Sequence, residues 1–104
     1  ESMSVDKSFY NQFRAYTSRA LVGQVTAVAT NPAETSLYFF HRSSNKFNSA
    51  TTITAPAVVE IDISTGKARA EFGSNMFVVP HGLYMDYKGV LWATDVGTHM
   101  VTRF

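Results

Sequence analysis

The stretch Val79-Pro80-His81-Gly82-Leu83 follows a turn and opens a predicted strand, so it places an imidazole at the strand entrance. Ala93-Thr94-Asp95 closes a second predicted strand, and a third begins within residues 99–104. Short strands at near-regular spacing, separated by turn signals, are typical of β-sandwiches, barrels and propellers. The stretch therefore predicts an all-β fold with His81 at one end of a strand.

The same signals predict further strands upstream. Val58–Ile63 alternates apolar and acidic side chains, and Ala68–Phe72 returns after the turn residues Ser64-Thr65-Gly66-Lys67, which predicts an antiparallel hairpin. Residues 43–54 are rich in Ser, Thr and Asn and are predicted to form a long loop. The remaining predicted strands are Val25–Ala29, Ser36–His41, Leu83–Met85 and Val90–Thr94.

The composition is that of a globular protein. Apolar residues make up 45% of the 104 residues and charged residues 16%, and the net charge is +1. Because no long basic run occurs, we expect no nucleic-acid partner. The segment has no cysteine, which excludes a disulfide framework and a thiolate metal site within it. No apolar run approaches the roughly 20 residues that span a bilayer.

The first 22 residues are predicted to be a lead-in to a β domain that occupies residues 23–104. Four aromatic side chains of the lead-in are spaced as on one face of a helix. They fit a short helix or, equally, an irregular segment that packs its aromatic rings on the β domain, because the window lacks a strong cap. These side chains are Phe9, Tyr10, Phe13 and Tyr16.

An internal repeat relates two parts of the predicted β domain. Thr26–Asn31 aligns with His81–Asp86, and Leu37–Arg42 aligns with Val90–Asp95, at offsets of 55 and 53 residues. Propeller repeats run at about 40–50 residues per blade, and the long polar loop accounts for the excess. The repeat therefore predicts a partial β-propeller of about two blades, whose ring is completed by residues outside this segment.

Two positions break the repeat and are candidates for chemistry. The alignment sets His81 against Thr26, and Arg42 against Asp95. Imidazole is a common zinc ligand, although a histidine at a strand end is more often structural. A guanidinium fixed at a buried strand end can hold a carboxylate or a developing oxyanion, although most arginines lie on the surface.

The other notable side chains have simpler structural interpretations. His41 must point away from Arg42 if the strand continues and is interpreted as structural. His99 is expected to bond across its blade, and Asp95 to fix a turn. Core packing between blades is expected of Trp92, Phe39 and Phe40.

Residues 80–104 resemble one NHL repeat, a propeller blade unit, and several ordered motifs carry a more specific resemblance. The motifs are Gly23-Gln24-Val25, Val28, Pro32, Phe40-His41-Arg42, Val59-Glu60-Ile61-Asp62, Pro80-His81-Gly82-Leu83 and Trp92-Ala93-Thr94-Asp95-Val96. Together they resemble peptidyl-α-hydroxyglycine α-amidating lyase, the second catalytic domain of peptidylglycine α-amidating monooxygenase. The resemblance covers roughly residues 23–104.

The resemblance implies a six-bladed NHL-type propeller with zinc in its central cavity. His81 matches the first of three zinc-binding histidines, and Arg42 matches the active-site arginine. Val28 and Leu83 match two backbone-carbonyl ligands of a structural calcium ion. The other zinc ligands, the calcium-binding aspartate and the catalytic tyrosine would lie beyond Phe104.

The implied reaction is cleavage of a peptidyl-α-hydroxyglycine to an α-amidated peptide and glyoxylate. The implied substrate is a C-terminally hydroxyglycine-extended peptide. The resemblance also implies that a copper monooxygenase domain can precede the lyase, and that the protein is located in the secretory pathway or the extracellular space. Two departures affect the rim of the cavity: residues 43–56 form a shorter, less acidic loop, and one extra residue lies between Pro32 and Arg42.

Two other functions remain open at the level of sequence. A non-catalytic NHL propeller could bind a protein or ligand on one face, since a fold does not determine a function. A calcium-dependent lactonase-type propeller would need several carboxylates and an asparagine at the axial strand ends, which this segment does not show.

Overall fold

The computed structural model describes residues 22–104, which form seven strands in two antiparallel sheets. The first sheet has the order β1-β2-β3-β4 and the second the order β5-β6-β7, so each sheet is a simple meander. The strands are β1 (Val25–Thr30), β2 (Ser36–His41), β3 (Val58–Asp62), β4 (Ala68–Phe72), β5 (Pro80–Met85), β6 (Leu91–Asp95) and β7 (Met100–Arg103).

This architecture confirms the all-β, partial-propeller prediction. Within residues 22–104 there is no helix, and hence none long and apolar enough to cross a membrane. Strand β1 begins one sheet and β5 begins the other, and these two strands lie against each other. They are the innermost strands of two successive blades. The aromatic lead-in, for which a helix and an irregular segment were equally expected, lies outside the described residues.

The hairpin of β3 and β4 forms as the alternation predicted. Val58 pairs with Phe72 and Glu60 with Ala70. Gly66 lies in the turn with a φ of 72°, a conformation that side chains with a Cβ disfavour. The Ser-Thr-Gly-Lys sequence therefore supplies the backbone geometry that reverses the chain.

The hydrophobic core lies between the two sheets. The rings of Phe40 and Phe77 meet edge to face, with centroids 4.8 Å apart, and join β2 to the segment that precedes β5. Phe39 is also buried, so both phenylalanines of β2 pack as expected. The buried cluster comprises Phe40, Ile53, Ala57, Val58, Phe77, Leu91 and Ala93.

Trp92 does not belong to the core between the two described sheets. Along β6 the buried positions are Leu91, Ala93 and Asp95, and strand alternation therefore turns Trp92 to the other face. Its indole is 36% exposed and donates a hydrogen bond to the Asp86 carboxylate at 3.0 Å.

The two inner hairpins repeat each other down to a shared irregularity. A β-bulge lies between Val25 and Ala27 in β1, and a second lies between Pro80 and Gly82 in β5. The extra residue is Thr26 in the first strand and His81 in the second. The offset of 55 residues between the two inner strands is thus confirmed.

The second strand of the repeat is aligned one residue differently from the prediction. Phe39 pairs with Val28 of β1, and Ala93 pairs with the equivalent residue Leu83 of β5. The second strands are therefore related by an offset of 54 residues and not 53. Asp95 therefore corresponds to His41, and Arg42 corresponds to Val96. The pairing of Arg42 with Asp95 was wrong because the alignment made the turn of the first inner hairpin two residues longer than that of the second, whereas the observed difference is one residue, and turn length sets strand register.

Candidate active site

Arg42 follows β2 directly, and its side chain bridges the two blades. Its Nε donates to the Pro80 carbonyl oxygen at 3.0 Å, and Nη1 donates to Gln24 Oε1 at 3.1 Å. Its backbone N–H also donates to the Gln24 carbonyl at 3.0 Å. The guanidinium is therefore held at the entrances of both inner strands.

The hydrogen bonds of Arg42 leave part of its donor capacity unused. A guanidinium has five N–H donors in a planar fork. Within the described residues two of them are engaged, one by Pro80 and one by Gln24. The remaining donors of Nη1 and Nη2 can bind a planar anion such as a carboxylate. Arg42 is half-buried, which limits the competition from water.

His81 is the extra residue of the bulge in β5, and its side chain is exposed. No described residue forms a hydrogen bond with its imidazole. Bulges often redirect a side chain next to an active site. The bulge is secured on its C-terminal side, where the Gly82 N–H donates to Thr94 Oγ1 at 2.9 Å. Arg42 donates to the carbonyl oxygen of Pro80, the residue immediately before His81, so its guanidinium lies beside the backbone that carries His81.

Asp95 secures the other side of this bulge. Its buried carboxylate accepts hydrogen bonds from the N–H groups of Val78 at 2.6 Å, Val79 at 2.8 Å and Gly97 at 2.8 Å. The chain that leads into His81 is thereby tied to the end of β6. Asp95 acts as the turn-fixing carboxylate that the sequence predicted.

His41 occupies the corresponding place in the first blade. Its ring is fully buried, and Nδ1 accepts the N–H groups of Ser43 at 3.1 Å and Gly23 at 3.4 Å. Burial lowers the pKa of His41, while the Pro56 carbonyl and the charge of Glu71 act in the opposite direction. Because Nδ1 is an acceptor, the neutral ring carries its proton on Nε2, which has no hydrogen-bond partner among the described residues.

Val28 and Leu83 occupy equivalent positions in the two inner strands. Val28 lies opposite Phe39 and Leu83 opposite Ala93. Within the described residues, the inner edges of β1 and β5 are paired with no strand. The two residues are thus related by the repeat, and calcium binding by their carbonyl groups stays a prediction.

The structure adds Gln24 to the site and shows no bond of the His99 side chain among residues 22–104. Gln24 belongs to a motif that carried the resemblance, but its bond to Arg42 joins residues 18 apart and has no local sequence signal. His99 is exposed with a φ of 61°, and no described residue forms a hydrogen bond with its side chain. The cross-blade bond of His99 stays a prediction.

Comparisons of the amino-acid sequence with known proteins identify relatives of this chain. A Drosophila melanogaster protein named peptidyl-alpha-hydroxyglycine alpha-amidating lyase 2 is 38% identical over 95 residues, which cover 79% of this chain and 23% of that protein. A Caenorhabditis elegans protein named as a probable lyase of the same type is 33% identical and covers 79% of this chain. These residues belong to the amidating-lyase family.

The relatives also include proteins named as amidating monooxygenases. The Xenopus laevis protein named peptidyl-glycine alpha-amidating monooxygenase B is 31% identical over 79% of this chain. No protein-family model matches the chain. The chain spans about a quarter or less of the length of these relatives, 23% of the Drosophila lyase and 11% of the Xenopus protein. The roles of Arg42 and His81 in an amidating lyase therefore stay predictions.

Proposed function

We propose that this chain forms two blades of a zinc-dependent peptidylamidoglycolate lyase, and that the complete protein cleaves peptidyl-α-hydroxyglycine to an α-amidated peptide and glyoxylate. The observation that carries the proposal is the bridging position of Arg42. Its guanidinium is anchored to the carbonyl of the residue before His81, with donors to spare. The names of the relatives supply the class of reaction.

The reaction is the breakage of a carbinolamide C–N bond. The hydroxyl group of the α-hydroxyglycine loses its proton, its C–O bond becomes the carbonyl of glyoxylate, and the C–N bond breaks. The amide nitrogen takes up a proton and leaves as the peptide amide. The substrate brings a carboxylate next to the bond that breaks, and negative charge develops on the hydroxyl oxygen during the reaction.

Arg42 is suited to both sources of negative charge. Its free N–H donors can bind the substrate carboxylate in a bidentate manner and hold the reacting carbon in one place. The same positive charge stabilises the oxygen as its proton leaves. The base that takes the proton is proposed to lie outside residues 22–104.

The described residues fit one part of a zinc site. The His81 imidazole is exposed and has no hydrogen-bond partner among the described residues, so a ring nitrogen is available to a metal. Nowhere in residues 22–104 do three or more histidine or acidic side chains cluster, so His81 would act with ligands from elsewhere in the complete protein. When bound, zinc supplies Lewis-acid polarisation of a substrate oxygen. For the structural calcium, Val28 and Leu83 offer carbonyl oxygens, which are typical calcium ligands.

The proposed cellular setting follows from the relatives. The Xenopus and Rattus norvegicus relatives are named as amidating monooxygenases, and we propose that a copper monooxygenase supplies the hydroxyglycine-extended peptide, either within the same protein or as a separate one. We further propose that the protein acts in the secretory pathway or outside the cell.

The proposal is tested with the complete protein and a synthetic α-hydroxyglycine peptide, by measuring glyoxylate release. Arg42→Ala is expected to lower turnover by about a hundredfold or more, as loss of a positioned charge does. The matched control is Arg69→Ala, which removes an arginine whose ion pair with Asp62 is exposed, and its turnover should be unchanged. Normal turnover in Arg42→Ala would refute the catalytic role, and no glyoxylate from the unsubstituted protein would favour a non-catalytic binding propeller.

A further inference from the structure

The turn around Arg42 is built in the same way as a turn in the next blade. His41 Nδ1 accepts the N–H groups of Gly23 and of Ser43, two residues further on. In the second blade, Asp95 accepts the N–H groups of Val78 and of Gly97, again two residues further on. Both acceptors are buried at the end of the second strand. A buried acceptor at this place therefore recurs in both described blades.

The two turns differ in the residue that they present. The residue enclosed between the acceptor and its second donor is Arg42 in the first blade and Val96 in the second. The backbone around Arg42 is unusual, because Ser43 has a φ of 52° in the left-handed region. The N–H group of Ser43 donates to His41 Nδ1 at 3.1 Å, which closes residues 41–43 into a turn. The hydrogen bond therefore restrains the backbone on both sides of Arg42.

The identity of the acceptor also matters for the charge of Arg42. A carboxylate at position 41 would satisfy the same N–H groups, as Asp95 does, but it would add a buried negative charge at the residue before Arg42. Such a charge would weaken the attraction between the guanidinium and an anionic ligand. The uncharged imidazole accepts the N–H groups and leaves the cation of Arg42 uncompensated.

We propose that His41 is a positioning residue for Arg42: its buried Nδ1 fixes the turn from which the guanidinium reaches Pro80 and Gln24, without adding charge. The inference rests on the proposed function, since it concerns the same site. It assigns His41 no contact with substrate.

The test is a double-mutant cycle in the complete protein, with glyoxylate release and thermal unfolding measured for each variant. His41→Phe keeps a ring but removes the acceptor, and we expect it to lower kcat about ten- to a hundredfold, as a displacement of about 1 Å can. Because His41 acts through Arg42, the variant that combines His41→Phe with Arg42→Ala should have the activity of Arg42→Ala alone, within about twofold.

Two further variants separate positioning from general stability. His41→Asn retains an acceptor near the place of Nδ1 and should recover most of the kcat that His41→Phe loses. Asn31→Ala removes a side chain that accepts the N–H groups of Thr35 and Ser36, each at 2.9 Å, at the opposite end of the same hairpin. This control should lower the melting temperature and leave kcat unchanged.

Each result bears on one of the two ideas. The positioning role would be overturned if the losses of kcat in His41→Phe and Arg42→Ala multiply in the double variant, or if His41→Asn is as inactive as His41→Phe. The proposed function would stand in both cases. Unchanged turnover in Arg42→Ala would overturn the catalytic role of Arg42 and the positioning role of His41 with it, whereas absence of glyoxylate release from the unsubstituted protein would overturn the proposed function. If His41→Phe does not fold, the cycle is run with His41→Gln, which moves the acceptor by one methylene and should also be non-additive with Arg42→Ala.

Discussion

Replacement of Asp95 by alanine is predicted to be among the most damaging single changes in this segment. The carboxylate accepts the N–H groups of Val78 and Val79 in buried surroundings, and that of Gly97 in partly buried ones. Alanine leaves the first two without an acceptor and without access to water. A buried unsatisfied donor costs about 1–3 kcal/mol, so we expect Asp95→Ala to lower the free energy of unfolding by about 2–6 kcal/mol. That is a large share of the about 5–15 kcal/mol typical of a native protein.

The matched control for Asp95→Ala is Asp86→Ala, in the same blade. Asp86 also accepts three N–H groups, from Lys88 and Val90 at 2.9 Å and from the Trp92 indole at 3.0 Å. Its turn faces solvent, so water can replace the lost acceptor, and its effect should be much smaller.

The assay is urea unfolding of the complete protein, followed by circular dichroism. The midpoint should fall far more for Asp95→Ala than for Asp86→Ala, with little change in the denaturant slope. Equal shifts of the two midpoints would show that burial does not set the cost of losing these acceptors, and the reasoning would fail.

Two further predictions concern the turn around Arg42. A Cβ on Gly23 would overlap the backbone of Ser43, whereas a Cβ on Gly66 would lie in open space. Gly66→Ala costs about 1–2 kcal/mol for its positive φ, and Gly23→Ala should lower the melting temperature well beyond it. Similar melting temperatures for the two variants would contradict the close approach of Gly23 to Ser43. Burial lowers the pKa of His41 below 6.5, so in this pH range the unfolded chain binds more protons at His41 than the folded chain does. The contribution of His41 to stability is therefore present above pH 6.5 and is lost as the pH falls through the lowered pKa. Urea midpoints measured from pH 7.5 to 5 should show this slope, which His41→Asn should reduce, and an identical slope in both proteins would argue against it.

Local sequence patterns determined a large part of this structure. The alternation in Val58–Asp62 and the Gly66 turn were sufficient to predict the β3–β4 hairpin, because strand period and turn chemistry act over a few residues. Asp95 was interpreted correctly as a turn-fixing carboxylate. The ordered motifs around Arg42 and His81 identified the family, which the relatives confirm.

Tertiary structure alone decided how the candidate site is assembled. The bond from Arg42 to Pro80 joins residues 38 positions apart, and its geometry depends on how two blades pack. The correspondence of His41 with Asp95 required the observed register, which differs by one residue from the sequence alignment in the second strand. Local patterns report which residues share a face of a strand, whereas contacts between blades depend on register and packing that no single stretch of sequence contains.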